Sequence, residues 1–286
     1  MTVLEQHGNA GYAPGPETVI RPRGRWRLLN IRELWAAREL LLFLVWRDVK
    51  VRYKQTLLGI AWTVIQPLIM MVVFTVIFQR LAGLPSGGPP YAVVTFSGLL
   101  PWLLFSSSLT KIGISMVSNS SLITKVYFPR LLIPLAASGG TLVDFLISCV
   151  VLAGLMAYYN LVPGVEVLVL PAFLLLAIVT SVGAGLWLAS LNVRYRDIGL
   201  MIPFLVQVLM FVTPVGYSSA AVPEKWRVLY DLNPLATVIN GFRWTLLGTE
   251  APSAGSVAFA TLVAGGLLVT GVAYFRGMER TFADEV

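Results

Sequence analysis

Three sets of side chains have types and spacings suited to chemistry, and none of them is built for catalysis. Trp62 and Gln66 stand four residues apart in one apolar stretch. Phe204, Gln207 and Phe211 recur at intervals of three and four in another, continuing towards Pro214 and Tyr217. On a helix each set falls along one face. Sugar rings have apolar faces that stack on aromatic rings and hydroxyls that bond amides, so such stripes suit a glycan path; they equally suit plain helix packing. The third set, Arg47, Lys50 and Arg52, is cationic. Arginine meets phosphate oxygens two at a time, so these residues suit a phosphate-bearing lipid, and they serve equally well as positive anchors at a membrane surface.

What is missing narrows the chemistry further. His7 is the only histidine, and it lies in a glycine- and proline-rich leader, which leaves the apolar region without a histidine acid, base or metal ligand. No Gly-x-x-x-x-Gly-Lys-Ser/Thr stretch is present, so nucleotide phosphates cannot be cradled by that device, and energy for any work must come from elsewhere. An ion-driven carrier buries several ionisable groups, whereas the apolar blocks offer Asp144 alone. Asp144 reads as a structural carboxyl bonded to hydroxyls such as those of Ser106 to Ser108 on a neighbouring helix, with a proton site as the alternative. Cys149, the single cysteine, excludes an intramolecular disulfide and reads as a small packing residue in apolar surroundings.

The elements that position these residues follow from composition. Of 286 residues, 57% are hydrophobic and 12% charged, with a mean hydropathy of +0.78; a soluble domain carries about 25% charged residues. The chain is an all-α integral membrane protein by this measure. Its net charge of +7 is concentrated in a few segments, which fits orientation and anionic lipid rather than nucleic acid. Residues 1–29 lack apolar periodicity and a signal-peptide core and read as a disordered cytosolic tail. Residues 30–55 read as an amphipathic interfacial helix, with Leu42, Val45, Trp46, Val49 and Tyr53 on one face and cations beside them. Residues 56–286 form the membrane domain. Six apolar blocks, at about 57–79, 91–110, 131–159, 167–191, 198–217 and 256–275, each reach the roughly 20 residues that a helical crossing needs.

Seventeen of the 21 Lys and Arg residues fall on one side of this six-span arrangement, which places both termini in the cytosol. The same count puts the loop NSSLITKVYFPRLLIP (Asn119 to Pro134) there, where Leu122, Ile123, Val126, Tyr127 and Phe128 beside Lys125 and Arg130 make an apolar knob ringed by cations. Such a knob suits a grip for a cytosolic partner. On the other side, residues 218–255 are apolar for a loop, with Asn233, Pro234 and Gly241 as breakers. Two helical pieces of about a dozen residues are implied, as a re-entrant hairpin between spans 5 and 6 or as an amphipathic pair on the outer surface.

The chain resembles the ABC-2-type permease subunits that export O-antigen, capsule, teichoic acid and related lipid-linked glycans. The resemblance runs from about Leu40 to the carboxyl end and rests on WRDVKVRYKQTLLGIAWTVIQP (Trp46 to Pro67), the Asn119 to Pro134 segment, NVRYRD (Asn192 to Asp197), LNPLATVINGFRW (Leu232 to Trp244) and the terminal FADEV. It implies a homodimer in a bacterial inner membrane, joined to two copies of a cytosolic ATPase that binds the ATP and Mg, with no cofactor or metal in this chain. It further implies that the first and fifth spans line a channel met by Trp62, Gln66, Phe204, Gln207, Phe211 and Tyr217, and that the outer hairpin gates the exit. Leu122, Ile123, Lys125, Val126, Tyr127, Phe128 and Arg130 would couple to the ATPase, and Arg47, Lys50 and Arg52 would guide the carrier pyrophosphate. Two other readings remain at this stage. An ABC-2 permease for drugs or lipids would show a large outer domain, where this chain has only a short loop at about Arg80 to Pro90. An intramembrane acyltransferase would need paired acids or a membrane histidine.

Overall fold

A computed structural model describes residues 31–54, 59–83, 88–126, 128–217, 230, 232–279 and 282. The expected tail over 1–29 and Tyr127 lie outside these residues, as does most of the first half of the outer segment. Every regular element among the described residues is helical. They are α1 (Ile31–Ala36), α2 (Arg38–Lys54), α3 (Gly59–Phe74, continued by a π-helical turn Thr75–Leu81), α4 (Tyr91–Ser118), α5 (Ser120–Lys125), α6 (Leu132–Tyr158), α7 (Leu170–Arg194), α8 (Asp197–Val212), α9 (Pro234–Leu247) and α10 (Ala254–Met278). A 3₁₀ turn, Val165–Val169, leads into α7.

Among the described residues, five helices are long and apolar enough to cross a bilayer: Ala61–Leu81, Tyr91–Ser118, Leu132–Tyr158, Val165–Arg194 and Ala254–Met278. The expected fifth block, 198–217, is instead the 16-residue α8, about 24 Å long at 1.5 Å per residue. It stops at Val212 because Thr213 precedes Pro214, whose ring disfavours helical geometry in the residue before it; Thr213 has φ −107° and ψ 134°. The second block also differs from expectation, since α4 runs eight residues past Thr110 to Ser118. Lys111, assigned to the cytosolic loop by charge counting, therefore lies within a span-length helix.

α4 is the hub of the bundle. Of its most apolar stretch 83% is buried, against 11% for α3. It packs along α6 and α7, and α10 packs along α7. The α7–α10 contact depends on bare backbone: a Cβ on Gly183 would lie 2.5 Å from the Leu268 nitrogen, and one on Gly271 2.4 Å from the Gly183 carbonyl. Small residues that let helix backbones meet are the usual basis of packing where lipid removes the hydrophobic drive.

α9 has local determinants that can be followed in the sequence. Asn233 caps it by accepting from the Leu235 amide at 3.0 Å, Pro234 starts it, and Gly248 ends it at φ 65°. Leu235, Val238, Ile239 and Phe242 are buried, and α9 packs against α4, α7 and α10.

α2 does not divide cleanly into two faces. Leu44 is buried against Leu132 and Ala136 of α6, and Asp48 and Arg52 are partly covered. Leu42, Phe43 and Trp46 point away from the protein with Lys50.

Candidate functional site

A cavity of about 470 Å³ opens where the end of α2 meets α3, α4 and α6. Trp62, Gln66, Arg52 and Asp144 line it together with apolar residues such as Leu103 and Phe145. Trp62 and Gln66 thus share one space, as their spacing predicts. α3 continues through Pro67, which has no N–H to give to the helical ladder.

Asp144 lies twelve residues beyond Leu132, about 18 Å along α6 at 1.5 Å per residue. Its carboxylate accepts from Arg52 Nη1, from the Tyr53 hydroxyl at 2.5 Å and from Lys111 Nζ at 3.4 Å. These are not the expected partners. Ser108 bonds Thr141 at 2.6 Å, and Ser106 bonds the Leu103 carbonyl within its own helix. Because α2 climbs along α6 and α4 extends past Lys111, two cations reach the carboxylate, and a partly buried charge takes charged partners ahead of hydroxyls. The Tyr53 phenol is held above its ordinary value of 10, first by burial and then by its bond to Asp144, so it remains a proton donor at neutral pH.

On α8, Phe204, Gln207 and Phe211 stand on an uncovered face, with Phe204 68% and Phe211 71% exposed, while Trp62 on α3 is 57% exposed. Ile202 is the one buried residue of α8.

Beyond α8, residues 213–217 are gripped from several sides. Arg243 on α9, 3% exposed, donates from Nε to the Val94 carbonyl at 3.2 Å, from Nη1 to the Tyr217 carbonyl at 2.9 Å and from Nη2 to the Val215 carbonyl at 2.8 Å. The Tyr91 hydroxyl donates to the Gly216 carbonyl at 2.6 Å, and Asn233 Nδ2 donates to Thr213 Oγ1 at 3.0 Å. Phe74 and Phe78 close on Gly216, where a Cβ would lie 2.7 Å from the Phe78 ring. The Tyr217 ring lies 5.8 Å from that of Phe78, tilted by 55°, and its hydroxyl pairs with that of Tyr230 at 2.5 Å. An arginine inside an apolar helix is itself a sequence signal of buried partners, and Arg243 is such a residue.

The Asn119 to Pro134 segment folds in part. α5 carries Leu122, Ile123 and Lys125. Ile123 is 5% exposed and packs with Met116, Leu131 and Phe282. Leu122 and Phe128 pack beside Leu44 and Leu132. The knob is therefore divided: Leu122, Ile123 and Phe128 turn inward, whereas Ser121, Thr124, Lys125 and Val126 form the exposed side. Arg130 Nη1 donates to the Glu279 carbonyl, which ties the segment to the end of α10. Of the three cations suited to phosphate, Arg47 is shared between Asp48 at 2.9 Å and Asn119 at 3.1 Å, Arg52 meets Asp144, and Lys50 is exposed.

The profile of the ABC-2 type transporter family matches residues 39–247. An O-antigen export system permease protein RfbA of Klebsiella pneumoniae is 29% identical over 248 residues, covering 86% of this chain and 94% of its own. A protein of the same name from Myxococcus xanthus is 27% identical over 258 residues, 90% and 98% of the two chains. The polysialic acid transport protein KpsM of Escherichia coli is 24% identical over 241 residues, 82% and 91%.

Proposed function

The chain belongs to the ABC-2 type transporter family, and from that premise we propose that it is the membrane subunit of an exporter that moves a lipid-linked polysaccharide out of the cytosol, powered by a separate ATPase. The observation that carries the reading is the pair of uncovered aromatic faces, Trp62 with Gln66 on α3 and Phe204, Gln207 and Phe211 on α8. Exposed rings on a membrane bundle can face lipid, but the amides of Gln66 and Gln207 exposed beside these rings are costly in hydrocarbon and call for a polar covering. A second copy of the chain, with a glycan between the two, supplies one. Individual ring stackings are weak, so a ladder of them holds a polymer without trapping it, as conduction requires. The similarity, over 82% to 90% of this chain, to proteins named for O-antigen export and polysialic acid transport supports the same cargo class.

The rest of the architecture takes its place around that path. α8 with residues 213–217 completes a sixth crossing. The buried α9 forms the returning limb of a re-entrant hairpin at the exit. α2 rests at the inner interface, its Leu42, Phe43 and Trp46 in lipid and Lys50 at the headgroups, so that Arg47, Lys50 and Arg52 meet the phosphates of the carrier. Lys125 and Val126, on the exposed side of α5, touch the ATPase, while Leu122, Ile123, Phe128 and Arg130 hold that segment to the bundle. The chain itself performs no chemistry; hydrolysis belongs to its partner.

Depletion of the protein in its own cell tests the reading. A glycan on its lipid carrier accumulates in the cytosolic leaflet while its surface form disappears. If surface glycans are unchanged and a phospholipid or small amphiphile accumulates instead, the cargo assignment fails.

A further inference from the structure

α8 packs Val206, Leu209 and Met210 against the main core and is tied by side-chain hydrogen bonds at its inner end and just beyond its outer end. The outer end is the Arg243 grip. The inner end rests on one side chain of the NVRYRD stretch, Asn192, which is 4% exposed and uses both halves of its amide. Its Nδ2 donates to the carbonyl of Gly113 on α4 at 3.1 Å, and its Oδ1 accepts from the amide of Gly199 in the first turn of α8 at 2.8 Å. The first-turn amides of a helix lack i−4 partners; that of Gly199 reaches the Arg196 carbonyl at 3.2 Å, and Arg196, at the N-cap of α8, supplies no side-chain cap. Asn192, from the last turn of α7, does so instead. Beside it Ile202 presses into the same place on α4, where a Cβ on Gly113 would come within 2.5 Å of Ile202 Cδ1. Gly199 is equally close: a Cβ there would lie 2.9 Å from Asn192 Oδ1. Three helices therefore meet at one amide.

Gly113 is five residues from the end of α4, and α5 follows after Asn119. α4 and α5 share a core with α7 and α10 through Met116, Ile123, Leu186, Val193 and Phe275. None of the buried members of that core belongs to α8. A displacement of α5 thus reaches α4 and α7 through packed side chains, and the inner end of α8 through Asn192 and Ile202. We infer that Asn192 is the joint that transmits movement of the α4–α5 segment to α8, a positioning residue that acts on the glycan path without touching cargo. The inference rests on the reading of α8 as a wall of that path.

The test uses the whole transporter, purified with its ATPase, with Cys149→Ser to remove the native thiol and Phe204→Cys as a reporter on α8. The labelling rate of the reporter by a methanethiosulfonate reagent is compared with and without ATP and vanadate. With Asn192 present, the rate changes with nucleotide. With Asn192→Leu, which matches the side chain in size and removes both bonds, ATP hydrolysis persists and the nucleotide response falls by about ten-fold, within the range of ordinary allosteric coupling. An unchanged response in Asn192→Leu overturns the inference. Should that variant fail to assemble, Asn192→Asp decides: it keeps the acceptor for Gly199, loses the donor to Gly113, and is expected to give a partial loss, with an unchanged response again counting against the joint. If the reporter shows no nucleotide response even with Asn192 in place, the moving wall itself is wrong, and the inference falls with it.

Discussion

Arg243→Lys isolates what holds the segment after α8. The guanidinium reaches three carbonyls in different directions, Val94 on α4 and Val215 and Tyr217 across from it, because its nitrogens are fixed in a planar fork. Lysine keeps the charge but concentrates its donors on one atom at the end of a shorter reach, so at least two of the three bonds are lost. A hydrogen bond to a charged group contributes about 1.5–3 kcal/mol, so the expected loss is about 3–6 kcal/mol, towards the lower end because side-chain bonds inside membrane bundles measure weaker. For a chain of this size that corresponds to a fall in Tm of roughly 6–15 °C. The assay is thermal unfolding of the purified protein in detergent, with Tyr91→Phe as a reference that removes only the bond to the Gly216 carbonyl and costs about 1 kcal/mol. A fall of less than about 2 °C for Arg243→Lys, or one no greater than that of Tyr91→Phe, would refute the account of the grip.

Asp144→Asn keeps the shape of the carboxyl and an acceptor for Tyr53 but leaves Arg52 and Lys111 without their shared carboxylate. The side chains are between 24% and 30% exposed, which places the loss well below the 3–5 kcal/mol of a fully buried pair, at about 1–2 kcal/mol. Surface glycan persists at a reduced level; complete loss in a correctly assembled transporter would point to a proton role. Lys125→Glu combined with Val126→Asp reverses the charge and removes the apolar surface on the exposed side of α5, and co-purification of the ATPase with the chain falls by about ten-fold, equivalent to some 1.4 kcal/mol. Undiminished co-purification would move the contact elsewhere.

Much of the architecture was legible because it is periodic. The stripes at Trp62/Gln66 and Phe204/Gln207/Phe211 lie on single faces, as spacings of three and four require. α9 was implied by Asn233, Pro234 and an apolar run, because its cap is local. Contacts between distant stretches were not legible in that way. Asp144 finds Arg52 and Lys111 because α2 climbs along α6 and α4 outlasts its apolar block, neither of which leaves a trace in hydropathy. The division of the Asn119 to Pro134 knob has the same origin: Ile123 and Phe128 look exposed in a polar loop until the cores that bury them are assembled from six separate elements. The end of α8 was readable in principle, since Thr213 precedes Pro214, but hydropathy runs through it to Tyr217. Asn192 stood in a motif whose spacing suggests nothing about its amide, because both of its partners depend on the α4–α7–α8 junction.

The central claim is that cargo passes along the uncovered faces of α3 and α8. A photoreactive amino acid placed singly at Trp62, Phe204 or Phe211, and at Leu262 on the exposed side of α10, tests it in cells that are actively exporting. The account predicts that light joins glycan to the chain at the first three positions and not at Leu262. Export that continues while Leu262 captures glycan and the three aromatic positions capture none would contradict it.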